Sequence, residues 1–109
     1  MKEALVRIHA RICGDGSITV YETSEKDRKW RGEVRYTNLD SDNIQEFQED
    51  MQEAFGVKTT LYKDHAKVNS LRLIKELRKI GKFESGNWRI PEEFFSLSDK
   101  KKLEWLKAF

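Results

Sequence analysis

The sequence predicts an α+β domain in the order αββαββα, with a four-stranded antiparallel sheet and helices on one face. Two stretches with apolar residues at helical spacing are each followed by two short stretches that alternate apolar and polar residues. Glycine lies at the end of each of the first three predicted helices, where helices commonly stop. No proline- or serine-rich linker interrupts the 109 residues, so we expect a single domain over residues 1–109.

The first αββ unit is predicted from residues 2–37. Apolar side chains recur every three or four residues over 2–13, which indicates a helix, and Gly14 and Gly16 are expected to end it. The next two stretches alternate apolar and polar side chains, as strands with one buried face do. These strands are expected at 17–22 and 32–37, joined by a polar loop at 23–31.

The second αββ unit starts at an N-cap, and helical segments follow it. One of Asp40, Ser41 and Asp42 is expected to cap a helix with one apolar stripe, which Gly56 ends. The later elements are expected as strands at 57–62 and 66–69, a helix at 71–80 stopped by Gly81, a loop at 82–90, and two short helices divided at 96–98. Two hairpins in one sheet bury one face under helices and leave the other for solvent or a ligand.

Charge is distributed unevenly along a chain whose net charge is only +2. Residues 41–56 carry five acids and no base, whereas residues 57–82 carry eight bases against two acids, a net +6. The basic segment is expected to attract phosphate, and a merely solvated helix face is the alternative. A single cysteine excludes an internal disulfide and is typical of a reducing, cytoplasmic setting. No apolar run approaches the ~20 residues that span a membrane.

The most informative motif is Gly14-Asp15-Gly16, at the end of the first predicted helix. Asp15 is a carboxylate near a helix C-terminus, where the helix dipole disfavours it unless a cation lies nearby. Ala10 and Gly14 are four residues apart on one helix face, so a second helix backbone can approach closely there. From these residues alone, a simple helix C-cap and turn remains the alternative to a metal site.

This motif resembles that of the LAGLIDADG homing endonucleases, especially their archaeal and intein-type branch. Other segments resemble the family's landmarks in the same order, namely Arg35-Tyr36-Thr37-Asn38, Phe55-Gly56-Val57, Val68-Asn69-Ser70 and Arg89-Ile90-Pro91-Glu92. The chain carries one acidic motif, so the resemblance is to a single-motif or half-domain form. It implies a homodimeric, site-specific endonuclease whose sheet binds double-stranded DNA and whose paired acids hold Mg²⁺ for phosphodiester hydrolysis.

The resemblance also implies roles for particular residues. Asp15 is expected to be catalytic and, together with Gly14, to hold the metal, while Lys82 is expected to lie near the scissile phosphate. The dimer is expected to form through the first helix, at Arg7, Ala10 and Gly14. The residues expected to bind DNA, from strand alternation and the hairpin loop, are Thr19, Tyr21, Arg28, Lys29, Arg31, Arg35, Thr37, Lys58, Thr60, Tyr62 and Lys67.

His9 and Arg11 depart from the family pattern, because those positions are usually apolar or small. Two copies of Arg11 at a helix seam would repel, so this residue is expected to face outward or towards a carboxylate or phosphate. Neither His9 nor His65 has a partner by sequence spacing, and neither is assigned a catalytic role. A degenerate or half-domain relative that binds DNA or structured RNA without cleaving it is the main alternative function. A domain that binds no nucleic acid is a third reading.

Overall fold

The computed structural model describes residues 2–24, 30–81, 83, 90 and 92–109. Its helices are α1 (Glu3–Asp15), α2 (Ser41–Phe55), α3 (Leu71–Arg78) and α4 (Asp99–Ala108), and a 3₁₀ helix (Glu92–Ser96) precedes α4. Its strands are β1 (Gly16–Glu22), β2 (Trp30–Thr37), β3 (Thr60–Leu61) and β4 (His65–Val68). The predicted α+β class and the order of the elements are confirmed. Among the described residues, no helix is long and apolar enough to cross a membrane.

The strands form one antiparallel sheet in the order β1-β2-β4-β3, so β2 and β4 are central. The third strand is shorter than the predicted 57–62. The backbone carbonyl of Thr59 accepts a hydrogen bond from Gln48 Nε2 of α2 at 3.1 Å, and therefore does not extend the ladder. The last helical pair divides where predicted, because the side chain of Ser98 caps α4 by accepting from the backbone N–H of Lys101.

Side chains alternate across β2 as the sequence predicts. Gly32, Val34 and Tyr36 are buried towards the helices, and the residues between them are half-buried on the other side. Val34 and Tyr36 belong to one buried cluster with apolar side chains of α1, α2 and α3. A Cβ atom at Gly32 would lie 2.3 Å from Ile74 Cδ1, so the side chain of Ile74 would have to move if this residue were not glycine. The helices therefore share one side of the sheet.

Helix α2 begins and ends as the sequence predicts. The carboxylate of Asp40 accepts from the backbone N–H of Asp42 at 2.9 Å, which identifies Asp40 as the N-cap. Gly56 ends the helix in the left-handed region, with φ 64°, a conformation that glycine adopts without strain.

Helix α1 is longer than predicted at its C-terminal end. It continues through Gly14 to Asp15, so the prediction that Gly14 ends the helix is wrong. Gly16 is the residue that ends it: its backbone N–H donates to the carbonyl of Ile12, and a Cβ atom there would lie 2.4 Å from Ile12 Cα. Strand β1 starts at Gly16, so Asp15 lies at the junction of helix and sheet.

Candidate nucleic-acid interface

The side of the sheet away from helices α1, α2 and α3, which we call the open face, carries mostly polar and charged side chains. Directly opposed residues of an antiparallel pair point to the same face, so the register defines its members. They are Ser17, Thr19, Tyr21, Arg31, Glu33, Arg35, Thr37, Thr60, Tyr62, His65 and Lys67. The structure thus groups most residues of the predicted DNA-binding set on one surface, and DNA binding itself stays a prediction.

The centre of the open face holds one carboxylate between two bases. Arg35 and Lys67 are directly opposed across β2 and β4. Glu33 Oε1 accepts a hydrogen bond from Arg35 Nη2 at 3.0 Å. The same oxygen lies 3.9 Å from Lys67 Nζ, within the range of an ion pair. Like charges placed opposite each other destabilise a sheet, and this carboxylate offsets that repulsion. The three side chains, 42%, 22% and 26% exposed for Arg35, Glu33 and Lys67, remain accessible to solvent.

An aromatic pair lies towards one edge of the open face. The rings of Tyr62 and His65 stack with centroids 4.3 Å apart, and Lys67 Nζ lies 5.5 Å from the Tyr62 centroid. His65 Nδ1 donates to Asp64 Oδ1 at 2.7 Å, and this hydrogen bond lowers the pKa of Asp64 below its ordinary value. Sequence reasoning did not place His65 on this surface. The register that sets it opposite Thr37 depends on long-range pairing.

The edges of the sheet are less covered than its centre. Val20 and Leu61 lie opposite the buried residues Gly32 and Ala66, on the helix side of the sheet, yet they are 37% and 41% exposed. Both lie on the outer strands β1 and β3, where helices cover less of the sheet. Lys58 is exposed but precedes β3, so the strand ladder does not hold its backbone. Three further predicted site residues lie outside the described residues: Arg28, Lys29 and Lys82.

The face of α1 that was expected to meet a second copy is covered by α4 of the same chain. The residue numbers of the contacting partners increase together along the two helices, which therefore run parallel. The contacts are Glu3 with Lys100 at 3.3 Å, Arg7 with Glu104 at 3.3 Å, His9 with Trp105 at 2.9 Å, and Gly14 with Phe109. A Cβ atom at Gly14 would lie 3.0 Å from the carbonyl oxygen of Phe109, so glycine here does permit close helix approach.

Two of the residues predicted for a dimer contact are therefore reassigned. Ala10 is fully buried within the chain, and so it does not reach a second copy in this fold. Arg7 donates to both carboxylate oxygens of Asp50, at 2.9 Å from Nε and 2.8 Å from Nη2. The predicted close packing exists at Gly14, where its partner is Phe109 at the end of α4.

Arg7 and Arg11 form a buried charge cluster with acids of α2. Arg11 Nη2 donates to Glu46 Oε1 at 2.7 Å and Nη1 donates to Asp50 Oδ2 at 3.3 Å. The expectation that Arg11 can face a carboxylate is confirmed. Asp50, one of the five acids of residues 41–56, is only 3% exposed. Burial raises the pKa of Asp50 above its ordinary value, although the guanidinium of Arg7 opposes this rise.

Asp15 is exposed at the C-terminal end of the parallel helix pair. Burial raises the pKa of the Tyr36 hydroxyl above its ordinary value. The Arg11 guanidinium lies 5.9 Å from the Tyr36 ring centroid and opposes the shift. Within the part of the chain that the structure describes, no three His, Cys, Asp or Glu side chains are grouped to hold a metal. Asp15 supplies one carboxylate.

No protein-family model matches this sequence, and no curated protein gives a significant match.

Proposed function

We propose that this chain is a double-stranded-DNA-binding domain of the LAGLIDADG type, which contacts DNA through its open face. The observation that supports this most is the alignment of Arg, Lys, Thr and Tyr side chains from β2, β4 and the outer strands on one side of the sheet. Such side chains donate to phosphate oxygens and to base edges. Paired β-strands enter the major groove, which is wide enough to admit them.

The positions of the basic side chains favour a role in binding an anionic partner over simple exposure to solvent. Arg31, Arg35 and Lys67 lie on the two central strands, and all three are half-buried. Arg35 lies directly opposite Lys67, and Glu33 offsets only part of their repulsion in the free chain. DNA phosphates would offset the remainder and would release counterions on binding.

The binding test uses fluorescence anisotropy with a fluorescent duplex of randomised sequence over a salt series. Each of Arg35→Ala and Lys67→Ala is expected to weaken binding and to reduce the slope of log K against log salt by about 1. Lys75→Ala is the matched control, because Lys75 is exposed on α3, across the sheet from the open face. Equal losses in all three variants would contradict a role for the open face. Absence of duplex binding at low salt would overturn the proposal, and a preference for structured RNA would redirect it.

Metal-dependent cleavage of that DNA is a second candidate function, and the exposed carboxylate of Asp15 favours it. Mg²⁺ is typically held by one or two carboxylates together with water and phosphate oxygens, so Asp15 fits as half of a site. Asp15 and the backbone of Gly14 would hold the ion, which would supply an activated water at the phosphodiester. Lys82 stays the candidate for a positively charged residue near the scissile phosphate.

Cleavage in this scheme needs a second acid, which the proposed homodimer would supply as a second Asp15. Because α4 and Phe109 contact α1 at Arg7, His9 and Gly14, two α1 helices can pair along this whole face only if α4 moves away. The first measurement is therefore solution mass by light scattering over a concentration series. A dimer of twice 12.9 kDa supports pairing, and a strict monomer removes the homodimeric route to paired acids.

The cleavage test uses duplexes selected from the randomised pool, with Mg²⁺ and with EDTA as its control. Asp15→Asn is expected to abolish Mg²⁺-dependent cutting while leaving binding intact, because an amide is neutral and binds Mg²⁺ far less well. Cutting that persists unchanged in Asp15→Asn would refute the assignment. Binding without cutting by the wild-type chain would leave the DNA-binding function alone.

A further inference from the structure

The central carboxylate of the open face occupies the place of an anion between two cations. Glu33 Oε1 faces Arg35 Nη2 at 3.0 Å and Lys67 Nζ at 3.9 Å. The two cations come from different strands and are directly opposed. Glu33 itself lies opposite Thr19 of β1, so this group is flanked by strands on both sides. A protein-bound phosphate oxygen can lie in the same way between two cationic side chains that converge on it.

A carboxylate and a phosphate compete for the same donors. The planar guanidinium of arginine and the ammonium of lysine bind either group through charge-assisted hydrogen bonds. The Glu33 side chain is 22% exposed and that of Arg35 is 42% exposed, so solvent weakens the pair. A weak internal pair holds the donors in position and can still be exchanged for an external anion.

We infer that Glu33 is an internal substitute for a DNA phosphate: it holds Arg35 and Lys67 in a phosphate-binding arrangement and is displaced when a backbone phosphate binds. This inference rests on the proposed DNA-binding function. The carboxylate lowers the affinity of the open face for any polyanion. Contacts elsewhere on this face must therefore form before Arg35 and Lys67 bind a phosphate. Glu33 thereby reduces binding to random DNA.

If Glu33 instead contacts a DNA base directly, removing its charge is expected to change the DNA affinity in the opposite direction. A carboxylate in the major groove can accept from the N4 amino group of cytosine, and its removal then weakens binding. The two roles are separated by neutralising Glu33 and measuring affinity for duplexes of randomised sequence.

The experiment compares wild type, Glu33→Gln and Glu53→Gln by anisotropy with a randomised duplex over a salt series. Glu53→Gln changes net charge equally, but on the exposed side of α2, across the sheet from the open face. Glu33→Gln is expected to bind about two- to fivefold more tightly than wild type, the range expected for losing one partly exposed ion-pair competitor. Its salt slope is expected to steepen by about 1, and Glu53→Gln is expected to match wild type.

A second readout needs no DNA. Inorganic phosphate is expected to raise the melting temperature of Glu33→Gln more than that of wild type, because the vacated position binds the ion in the folded state only. Circular dichroism verifies folding, and Glu33→Asp, which retracts the carboxylate by one methylene, gives a smaller affinity gain if Glu33→Gln does not fold.

Unchanged or weaker binding by Glu33→Gln, with wild type still bound to DNA, overturns this inference and leaves the proposed function standing. Failure of both wild type and Glu33→Gln to bind at low salt overturns both. An equal gain in Glu53→Gln also overturns the inference, since net charge alone would then explain the effect.

Discussion

Two regions of this molecule hold arginine–carboxylate pairs, and they differ in exposure. In the buried charge cluster of α1 and α2, the side chains of Arg11 and Asp50 are each 4% exposed. At the centre of the open face, Arg35 and Glu33 are 42% and 22% exposed. The donor–acceptor distances overlap, at 2.7–3.3 Å in the cluster and 3.0 Å on the open face. Geometry alone therefore does not distinguish the two regions.

Burial decides what each pair does. Removing one partner of a buried ion pair lowers the free energy of unfolding by several kcal/mol, because the other charge stays in a medium that solvates it poorly. An exposed pair contributes little and is easily exchanged. The buried cluster can thus fix α1 on α2, whereas the pair on the open face can give up its carboxylate to a competing anion. The same chemistry is structural in one region and available for binding in the other.

The largest expected effect comes from removing the shared acid of the buried cluster. Asp50→Ala leaves Arg7 and Arg11 without the carboxylate that both contact, so the free energy of unfolding is expected to fall by about 3–5 kcal/mol. Urea denaturation measures the loss. Glu46→Ala is the matched control in the same cluster: the Glu46 side chain is 48% exposed, and the expected loss is about 0.2–1 kcal/mol. Equal losses in the two variants would show that burial does not set the strength of these pairs.

Part of this comparison was visible in the sequence. Alternation along residues 32–37 identified the side of β2 that faces the helices, because a strand with one buried face repeats every two residues. The stop at Gly56 and the N-cap follow from local backbone chemistry: Gly56 was predicted, and Asp40 was one of three candidates for the N-cap. Local rules therefore recovered the helices, the strands and most members of the open face.

Long-range packing was not visible in the sequence. Asp50 lies in an acidic stretch and looks solvated, until α1 places Arg7 and Arg11 one turn apart against it. The pair of small residues, Ala10 and Gly14, predicted close helix approach without identifying the partner, which at Gly14 is Phe109 at the end of α4. His65 reaches the open face only through its register with Thr37. Each of these features depends on residues that are distant in sequence.

The helix seam beside Asp15 gives the next largest effect. In Gly14→Ala the added carbon meets the carbonyl oxygen of Phe109 at 3.0 Å, so α4 must shift, and we expect a net loss of about 1 kcal/mol in urea denaturation. In a chain that lacks Phe109 the same substitution should instead stabilise by up to about 1 kcal/mol, because alanine favours a helix over glycine. Destabilisation of equal size in both backgrounds would contradict the close contact.

An effect that depends on pH is expected under alkaline conditions from the thiol of Cys13, which is buried on α1. Burial raises the pKa of this thiol from 9.0 to about 12. The unfolded chain ionises first, so this contribution to stability is complete below pH 9 and is lost as the pH rises from 9 to 12. Thermal unfolding between pH 8 and 11 is expected to show a shallower decline in Cys13→Ala than in wild type. Parallel curves would exclude Cys13 as the cause.

The smallest expected effect is on the stability contributed by the exposed pair itself. Glu33→Gln should lower the free energy of unfolding by only about 0.2–1 kcal/mol, because the pair of Glu33 with Arg35 is partly solvated. The loss should shrink in 0.5 M salt, since screening weakens exposed charges, while the Asp50→Ala loss should persist. A Glu33→Gln loss that matches Asp50→Ala and resists salt would mean that the carboxylate is a structural anchor. In that case it could not be exchanged for a phosphate, and the open face would bind DNA, if at all, around a fixed acid.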